Sequence, residues 1–218
     1  MTVSEIGRQI ENYKKRGLSL FTTCSFQSHS IVLLHILTTI DKNITVYFIN
    51  TGFHFTETIA YKNQIAALLK INVKSLSSHV PKSLQKDMNN QFLFASDADH
   101  CCYINKTMPV NGLLHMYDVW INGVRADQSS TRKNFKTEEP TPHHAIRFHP
   151  MLDWTPKMIY DYAKTHNLPK HPLEEKGFFS IGCEPCTHKF EISSRGGRWY
   201  GLKKTECGLN TDLIADKK

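Results

Sequence analysis

The chain carries six cysteines, and their spacing sorts them by the chemistry they could do. Cys101-Cys102 and Cys183-Glu184-Pro185-Cys186 are two tight pairs, while Cys207 stands alone in the stretch Lys203-Lys204-Thr205-Glu206-Cys207-Gly208-Leu209. Four thiolates complete the ligand set of one metal centre, and the second pair has the spacing of a chelating turn. Together they suit a tetrahedral zinc or a cubane iron-sulfur cluster. Adjacent cysteines on a helix diverge by about a quarter turn, which a broad cluster with separate irons accommodates more readily than one small ion. A [4Fe–4S] cluster is therefore the favoured reading, structural zinc its rival and plain buried thiols the third. Cys207 has the setting of a nucleophile: Lys203, Lys204 and Arg198 favour its thiolate and Glu206 opposes it. An incidental exposed thiol is the alternative. Cys24, at the end of an apolar run, reads as core. None of the twelve histidines, His143-His144 included, has a convincing ligand spacing.

These groups need a scaffold, and hydrophobic periodicity supplies one. Ile6, Ile10 and Tyr13 recur at helical spacing over residues 3–16, and Gly17 ends the run. Residues 18–24, 44–50 and 71–76 read as strands that alternate with helices over 28–40 and 55–70. The pattern is weak over 81–99. Residues 101–116 are helical with an interruption at Pro109, 119–124 and 145–148 are further strands, and 125–142 form a polar loop. Thr155 caps a helix that Pro156 opens and that runs to about Thr165. From Asn167 onward, glycine, proline and polar residues predict mostly irregular chain. The fold class that follows is α/β, a mostly parallel sheet flanked by helices, whose ligands sit beyond the carboxyl ends of the strands.

Two loops are placed to hold an anion. Thr23-Cys24-Ser25-Phe26-Gln27-Ser28 lies where a strand turns into a helix, where hydroxyls and unclaimed N–H groups collect; an ordinary capping segment is the bland alternative. Asn50-Thr51-Gly52 follows the next strand on the same edge. In Gly123-Val124-Arg125-Ala126-Asp127-Gln128-Ser129-Ser130-Thr131-Arg132, two guanidiniums seven residues apart could clamp phosphate or sulfate oxygens, against the alternative of a solvated loop.

Composition bounds the reading. At 218 residues, with 40% hydrophobic and 22% charged residues, the chain is long enough to bury a core without disulfides. A net charge of +7 favours anionic partners without choosing among them. No apolar run is long enough to span a bilayer, which predicts a cytoplasmic protein, and in that reducing compartment paired cysteines read as metal or redox groups.

Read in order, the cysteine pairs, the Ser25-Phe26 turn, the Gly-x-Arg-x-x-Gln-Ser loop and the Lys-Thr-Glu-Cys-Gly-Leu tail resemble the assimilatory adenylyl-sulfate (APS) reductases, grouped with the phosphoadenylyl-sulfate (PAPS) reductases. The resemblance runs from about residue 18 to 210. It implies an adenine-nucleotide α-hydrolase-like fold, a single reductase domain over 1–218 with a mobile tail from about 195 to 218, and a [4Fe–4S] cluster on Cys101, Cys102, Cys183 and Cys186. Ser25, Phe26, Gln27 and Ser28 would form a modified phosphate loop, Thr51 and Gly52 would lie near the adenosine, and Arg125, Gln128, Ser129 and Arg132 would make an arginine-rich loop. Lys106 would link the cluster to the sulfate end of the substrate, and Arg195 and Arg198 would gather its anionic groups.

The implied reaction, part of sulfate assimilation, is thiol-dependent reduction of APS to sulfite and AMP through a Cys207 S-sulfonate. Thioredoxin or a similar dithiol protein would be the donor. The cluster-bearing branch generally uses APS; PAPS reduction or dual use is the alternative. Assembly as a homo-oligomer is compatible with the resemblance, and neither membrane nor nucleic acid is expected as a partner. An ATP-dependent thiolation or adenylation enzyme would require a Ser-Gly-Gly-x-Asp-Ser loop, which is missing, and the remaining rival is a zinc-stabilised nucleic-acid-binding module. The chain departs from its relatives at Asn50, where they carry Asp, at Asn210, where they carry His, and at Lys204, where they often carry Arg.

Overall fold

The computed structural model describes residues 1–189, 204 and 206–215. Helix α1 (Val3–Lys15) opens with a capping box in which the Thr2 hydroxyl accepts from the Glu5 N–H and the Glu5 carboxylate accepts from the Thr2 N–H. Then follow β1 (Leu20–Thr23), α2 (Ser28–Ile40), β2 (Thr45–Ile49), α3 (Thr56–Leu69) and β3 (Val73–Leu76). Two short helices, α4 (Leu93–Ser96) and α5 (Ala98–Cys102), lead through a wide π turn (Tyr103–Thr107) into α6 (Met108–Leu113). The chain continues through β4 (Val119–Ile121), α7 (Ser130–Lys133), β5 (Glu138–Pro140), β6 (Ile146–Phe148), α8 (Pro156–Thr165) and α9 (Pro172–Glu175).

The described strands form one six-stranded sheet of order β3-β2-β1-β4-β6-β5, parallel except where β5 pairs antiparallel with β6. The chain leaves β1 toward β2 on one side and reaches β4 and β6 on the other. The carboxyl ends of β1 and β4 therefore flank a topological switch point, where a crevice opens.

Side chains alternate across the sheet, and each face collects its own core. Val119, Ile121 and Phe148 pack with Ile6, Ile10 and Tyr13 of α1, with Val32, Leu33, Ile36 and Leu37 of α2 and with Ile159 of α8. Val46 and Phe48 join Ile31, Leu34, Tyr61 and Ile65 between α2 and α3. On the opposite face Phe21, Tyr47 and Trp120 meet Val110, Leu113 and Leu114 of α6 together with Leu213. The stretch that carries Cys207 is thus part of the cover of the sheet: Leu213 is 2% exposed. The segment expected as a tail is seen here docked over residues 206–215, while Arg195, Arg198 and Lys203 lie outside the described residues.

Three elements differ from expectation for identifiable reasons. Strand β5 was hidden in the polar loop because its residues are two glutamates and a proline, which only an edge strand tolerates. The helix expected to break at Pro109 instead runs from Ala98 to Leu113, with the irregularity displaced upstream into the π turn; the widened turn relieves the clash between a proline ring and the carbonyl four residues before it, that of Asn105. Residues 81–99, read as loop, include α4, and the irregular stretch after Asn167 includes α9. No described helix is long and apolar enough to cross a membrane.

Ile121, fully buried in the central strand, supports the helices that frame the crevice. Truncation of Ile121 to Ala is expected to cost about 2–5 kcal/mol of folding stability, read as a lower urea midpoint with an unchanged slope.

Candidate active site

The crevice at the switch point holds a cavity of about 470 Å³. Its floor is Thr23 and Cys24 after β1 and Asn122 and Gly123 after β4, and its rim carries Lys106, Arg125, Arg132, Arg147 and Cys207. The five positions come from four segments distant in sequence, brought together by the strand order.

The junction of β1 and α2 is built around an unusual backbone. Phe26 adopts φ 53°, the left-handed region that favours glycine, and its ring is completely buried edge-on against Phe48, with ring centroids 5.8 Å apart. The conformation costs roughly 1–2 kcal/mol and burial of the ring returns roughly 1.5–3, so the core holds the turn in place. Helix α2 begins at Gln27 without a side-chain cap, which leaves N–H groups of its first turn directed at the crevice. Ser25 and Gln27 line the cavity. Ser28 instead turns its hydroxyl to accept the His171 N–H at 2.7 Å, and the Gln27 carboxamide oxygen accepts the Ile181 N–H at 3.3 Å. Two of the four expected phosphate-loop residues, Phe26 and Ser28, therefore act as supports.

After β2, the Asn50 side-chain oxygen accepts the Gly52 N–H at 3.0 Å, so the carboxamide closes this turn as a carboxylate would. Gly52 has φ 73° and its carbonyl accepts from Lys82. A Cβ there would collide with the Lys82 Cε. The Thr51 hydroxyl is buried 3.2 Å from the Cys183 Sγ. Thr51 and Gly52 thus shape the wall next to the cysteines.

The four paired cysteines are buried, each less than a tenth exposed, and none forms a disulfide. The Cys183 turn is stapled to the β2 loop by an antiparallel bridge between His54 and Cys183 and by the Glu184 N–H donating to the Phe53 carbonyl at 2.7 Å. Asp97 caps α5, and the buried Asn105 carboxamide donates to the Cys101 carbonyl at 2.9 Å while pairing reciprocally with Gln85. Burial pushes the Cys101 thiol up to about 12, with the charges of Cys102, Cys183 and Cys186 adding to it. Burial also raises Cys102, against the pull of Lys106. Among the described residues, no group of three or more His, Cys, Asp or Glu side chains is arranged to hold a metal ion. In donor type, number and burial the four thiols fit an iron-sulfur cluster, since cationic iron would remove the penalty that ionising them together otherwise carries.

The arginine loop does something the sequence did not reveal. Arg132 forks onto Glu206, with Nε to Oε2 at 2.9 Å and Nη2 to Oε1 at 2.7 Å, and the Ser129 hydroxyl donates to the same carboxylate at 2.7 Å. The Cys207 N–H donates to Glu206 Oε1 at 2.9 Å and the Asn210 amide at 3.1 Å. Burial works against ionisation of Glu206, but Arg132, the Cys207 N–H and Ser129 outweigh it and hold the carboxyl at about 2. Gln128 accepts from Arg132 and caps the Arg125 N–H at 3.2 Å, and Arg125 pairs with Asp127 at 3.0 Å. Glu206, read as a group that would oppose the thiolate, is thus neutralised by its partners.

Arg147 completes the clamp. It is 1% exposed, donates to the Leu209 carbonyl at 2.7 Å and to the Asn210 side-chain oxygen, and lies over the Trp120 ring at 4.5 Å. Burial and the nearby Arg132 charge pull it down to about 9, still cationic at neutral pH. Lys204 is paired with Asp99 and lies within electrostatic reach of Cys102 and Cys207. After the thiol, Gly208 leaves no room for a side chain: a Cβ would meet Asp212 Oδ2 at 2.6 Å and Thr107 Oγ1 at 2.7 Å. Arg147 and Asn105 were given no role in the sequence, and Glu206 only that of opposing the thiolate, because a charged or amide residue in a strand end, tail or helix carries no local sign of its distant partner.

A family model described as "Phosphoadenosine phosphosulfate reductase domain" matches residues 19–189. The chain is 36% identical over 203 residues to an "Adenosine 5'-phosphosulfate reductase" of Bacillus cytotoxicus, covering 91% of this chain and 86% of that protein. It is 34% identical over 200 residues to a "Phosphoadenosine 5'-phosphosulfate reductase" of Gloeobacter violaceus, covering 89% and 83%. Among solved structures, the phosphate complex of phosphoadenylyl-sulfate reductase from Candida auris superposes with a TM-score of 0.62 at 19% identity, over 76% of this chain and 81% of that one. The likeness shows the expected adenine-nucleotide α-hydrolase-like fold.

Since the Glu206 carboxyl is depressed in the folded protein, its contribution is complete above the ordinary carboxylate value and is lost as pH falls toward about 2. Glu206→Gln leaves Arg132 buried without its counter-charge, which is expected to cost on the order of 3 kcal/mol of docking. Hydrogen exchange of residues 206–215 should accelerate in the variant at neutral pH, and wild type should approach the variant's rates only as pH drops below about 4.

Proposed function

The chain belongs to the phosphoadenosine phosphosulfate reductase family, and from that premise we propose that it reduces adenosine 5'-phosphosulfate to sulfite and AMP, with Cys207 as the nucleophile. The observation that carries this reading is that Cys207 lines the same cavity as the uncapped start of α2 and the cations Lys106, Arg125, Arg132 and Arg147. An anion held there is within the compass of the thiol.

In the first half-reaction the Cys207 thiolate attacks the sulfur of APS. The bond from that sulfur to the bridging phosphate oxygen breaks, AMP leaves with the electron pair, and a Cys207 S-sulfonate remains. Developing charge on the leaving phosphate is met by the α2 N–H groups and by the arginines, and Lys106 and Lys204 lie toward the sulfonyl end near Cys102. Arg195 and Arg198 are assigned to the substrate anion by resemblance alone. In the second half-reaction a thiolate of a thioredoxin-type dithiol attacks the Cys207 sulfur, the bond to the sulfonate breaks, and sulfite leaves with the pair. The second thiol of the donor then resolves the mixed disulfide, so both electrons come from the donor. This step requires residues 206–215 to leave their docked position, because Cys207 lies against Phe53, Cys183 and Cys186.

Cys101, Cys102, Cys183 and Cys186 would hold a [4Fe–4S] cluster. The chemistry it would supply is a fixed electrostatic and structural support for the pocket without a change of its own redox state. The chain's residues do the rest: Asn105 and Gln85 orient the Cys101 pair, and the β2 loop orients the Cys183 turn.

Sulfite release from APS and from PAPS, each with reduced thioredoxin, tests the substrate; release from APS is expected, and release from PAPS alone would overturn the assignment. With sulfur-labelled APS and no thiol, wild type should retain label on the protein and Cys207→Ser should retain none. Cys102→Ser is expected to lower bound iron and acid-labile sulfide together, measured on anaerobically purified protein; unchanged iron would remove Cys102 from the ligand set.

A further inference from the structure

Among the described residues that line the cavity, Asn122 has a buried side chain with both polar atoms unmatched. Asn122 directly follows β4, its N–H is used by the Phe148 carbonyl at 3.0 Å, and the residue is 5% exposed. Its side chain lines the cavity, and among the described residues neither the carboxamide oxygen nor the nitrogen has a hydrogen-bond partner. The statement holds whichever way the amide is turned, since both atoms are unmatched. An unsatisfied carboxamide is costly to bury and is retained where something pairs with it.

The chemistry of the group limits what that something is. A carboxamide offers a donor and an acceptor side by side. Phosphate and sulfate oxygens only accept and would leave the Asn122 oxygen facing lone pairs. Their charge is moreover matched by the cationic rim of the cavity and the α2 N-terminus. A nucleoside instead presents edges that combine donor and acceptor, in the ribose hydroxyls and in the amino and ring nitrogens of adenine. We infer that Asn122 is a specificity-determining residue that reads the nucleoside through such a donor-acceptor edge. The inference rests on the nucleotide reading of this cavity.

The test uses AMP as the probe, titrated calorimetrically into the full chain. Wild type is expected to bind, and Asn122→Leu to bind roughly tenfold or more weakly, with a thermal midpoint equal to or above that of wild type because an unmatched buried polar group has been removed. Asn122→Ser carries the same comparison should the leucine variant fail to fold. Two analogue arms separate the sources: 2'-deoxy- and 3'-deoxy-AMP remove ribose hydroxyls, and purine riboside 5'-monophosphate removes the adenine amino group. The analogue that lacks the edge read by Asn122 should bind wild type more weakly than AMP does, yet bind the variant as AMP does. Unaltered AMP affinity in the variant would overturn the inference and leave the reductase reading intact. So would a weakened affinity accompanied by a lower midpoint and no coupling to any analogue. Failure of wild type to bind AMP at all would overturn both.

Discussion

The position of the reactive thiol depends on a buried ion pair. Glu206 is almost completely enclosed, and an enclosed carboxylate survives only if its lone pairs and its charge are met. Arg132 meets the charge in bidentate fashion, and Ser129, the Cys207 N–H and Asn210 meet the remaining lone pairs. Because the residue that follows Glu206 is the cysteine itself, satisfying the carboxylate fixes the thiol at the mouth of the cavity. The same pair ties the arginine loop after β4 to a segment 74 residues later. In this arrangement Arg132 is engaged by the protein's own anion, so it positions the nucleophile before it can serve any ligand.

The sheet makes this possible by its strand order. With β1 and β4 adjacent at the switch point, the α2 N-terminus and the arginine loop open on the same crevice. The docked segment reaches that crevice from the opposite face, where Leu213 packs among Phe21, Trp120 and Leu113. Hydrophobic burial thus holds one end of the segment and a polar network the other. The π turn adds Lys106 to the same rim: a widened turn forced by Pro109 displaces the helix register and carries a lysine toward Cys102.

Much of the fold was legible because periodicity reports burial. Ile6, Ile10 and Tyr13 gave α1, the Thr155-Pro156 cap gave α8, and α2 fell on residues 28–40 as read. Strand β5 was not legible, because an edge strand owes its pairing to β6 and not to its own composition. The cysteine pairs were legible as candidates from their spacing, and all four are buried. The clamp was not, since nothing local to Arg147 or Glu206 announces so distant a partner; the hydrogen bond from Arg147 to Asn210 spans 63 residues of chain. Spacing within a loop reports on the loop, and contacts across the sheet appear only in three dimensions.

Asn210 has a consequence of its own. Its carboxamide accepts from Arg147 and donates to Glu206, bridging a cation and an anion with a group that does not titrate. Docked or released, Glu206 is ionised at neutral pH and Arg147 is protonated, so the network neither takes up nor releases protons as it forms. An imidazole at this position would have coupled the equilibrium to acidity near its own pKa. The amide uncouples it, and this network holds the cysteine loop with the same grip across the whole range in which a cell's interior drifts.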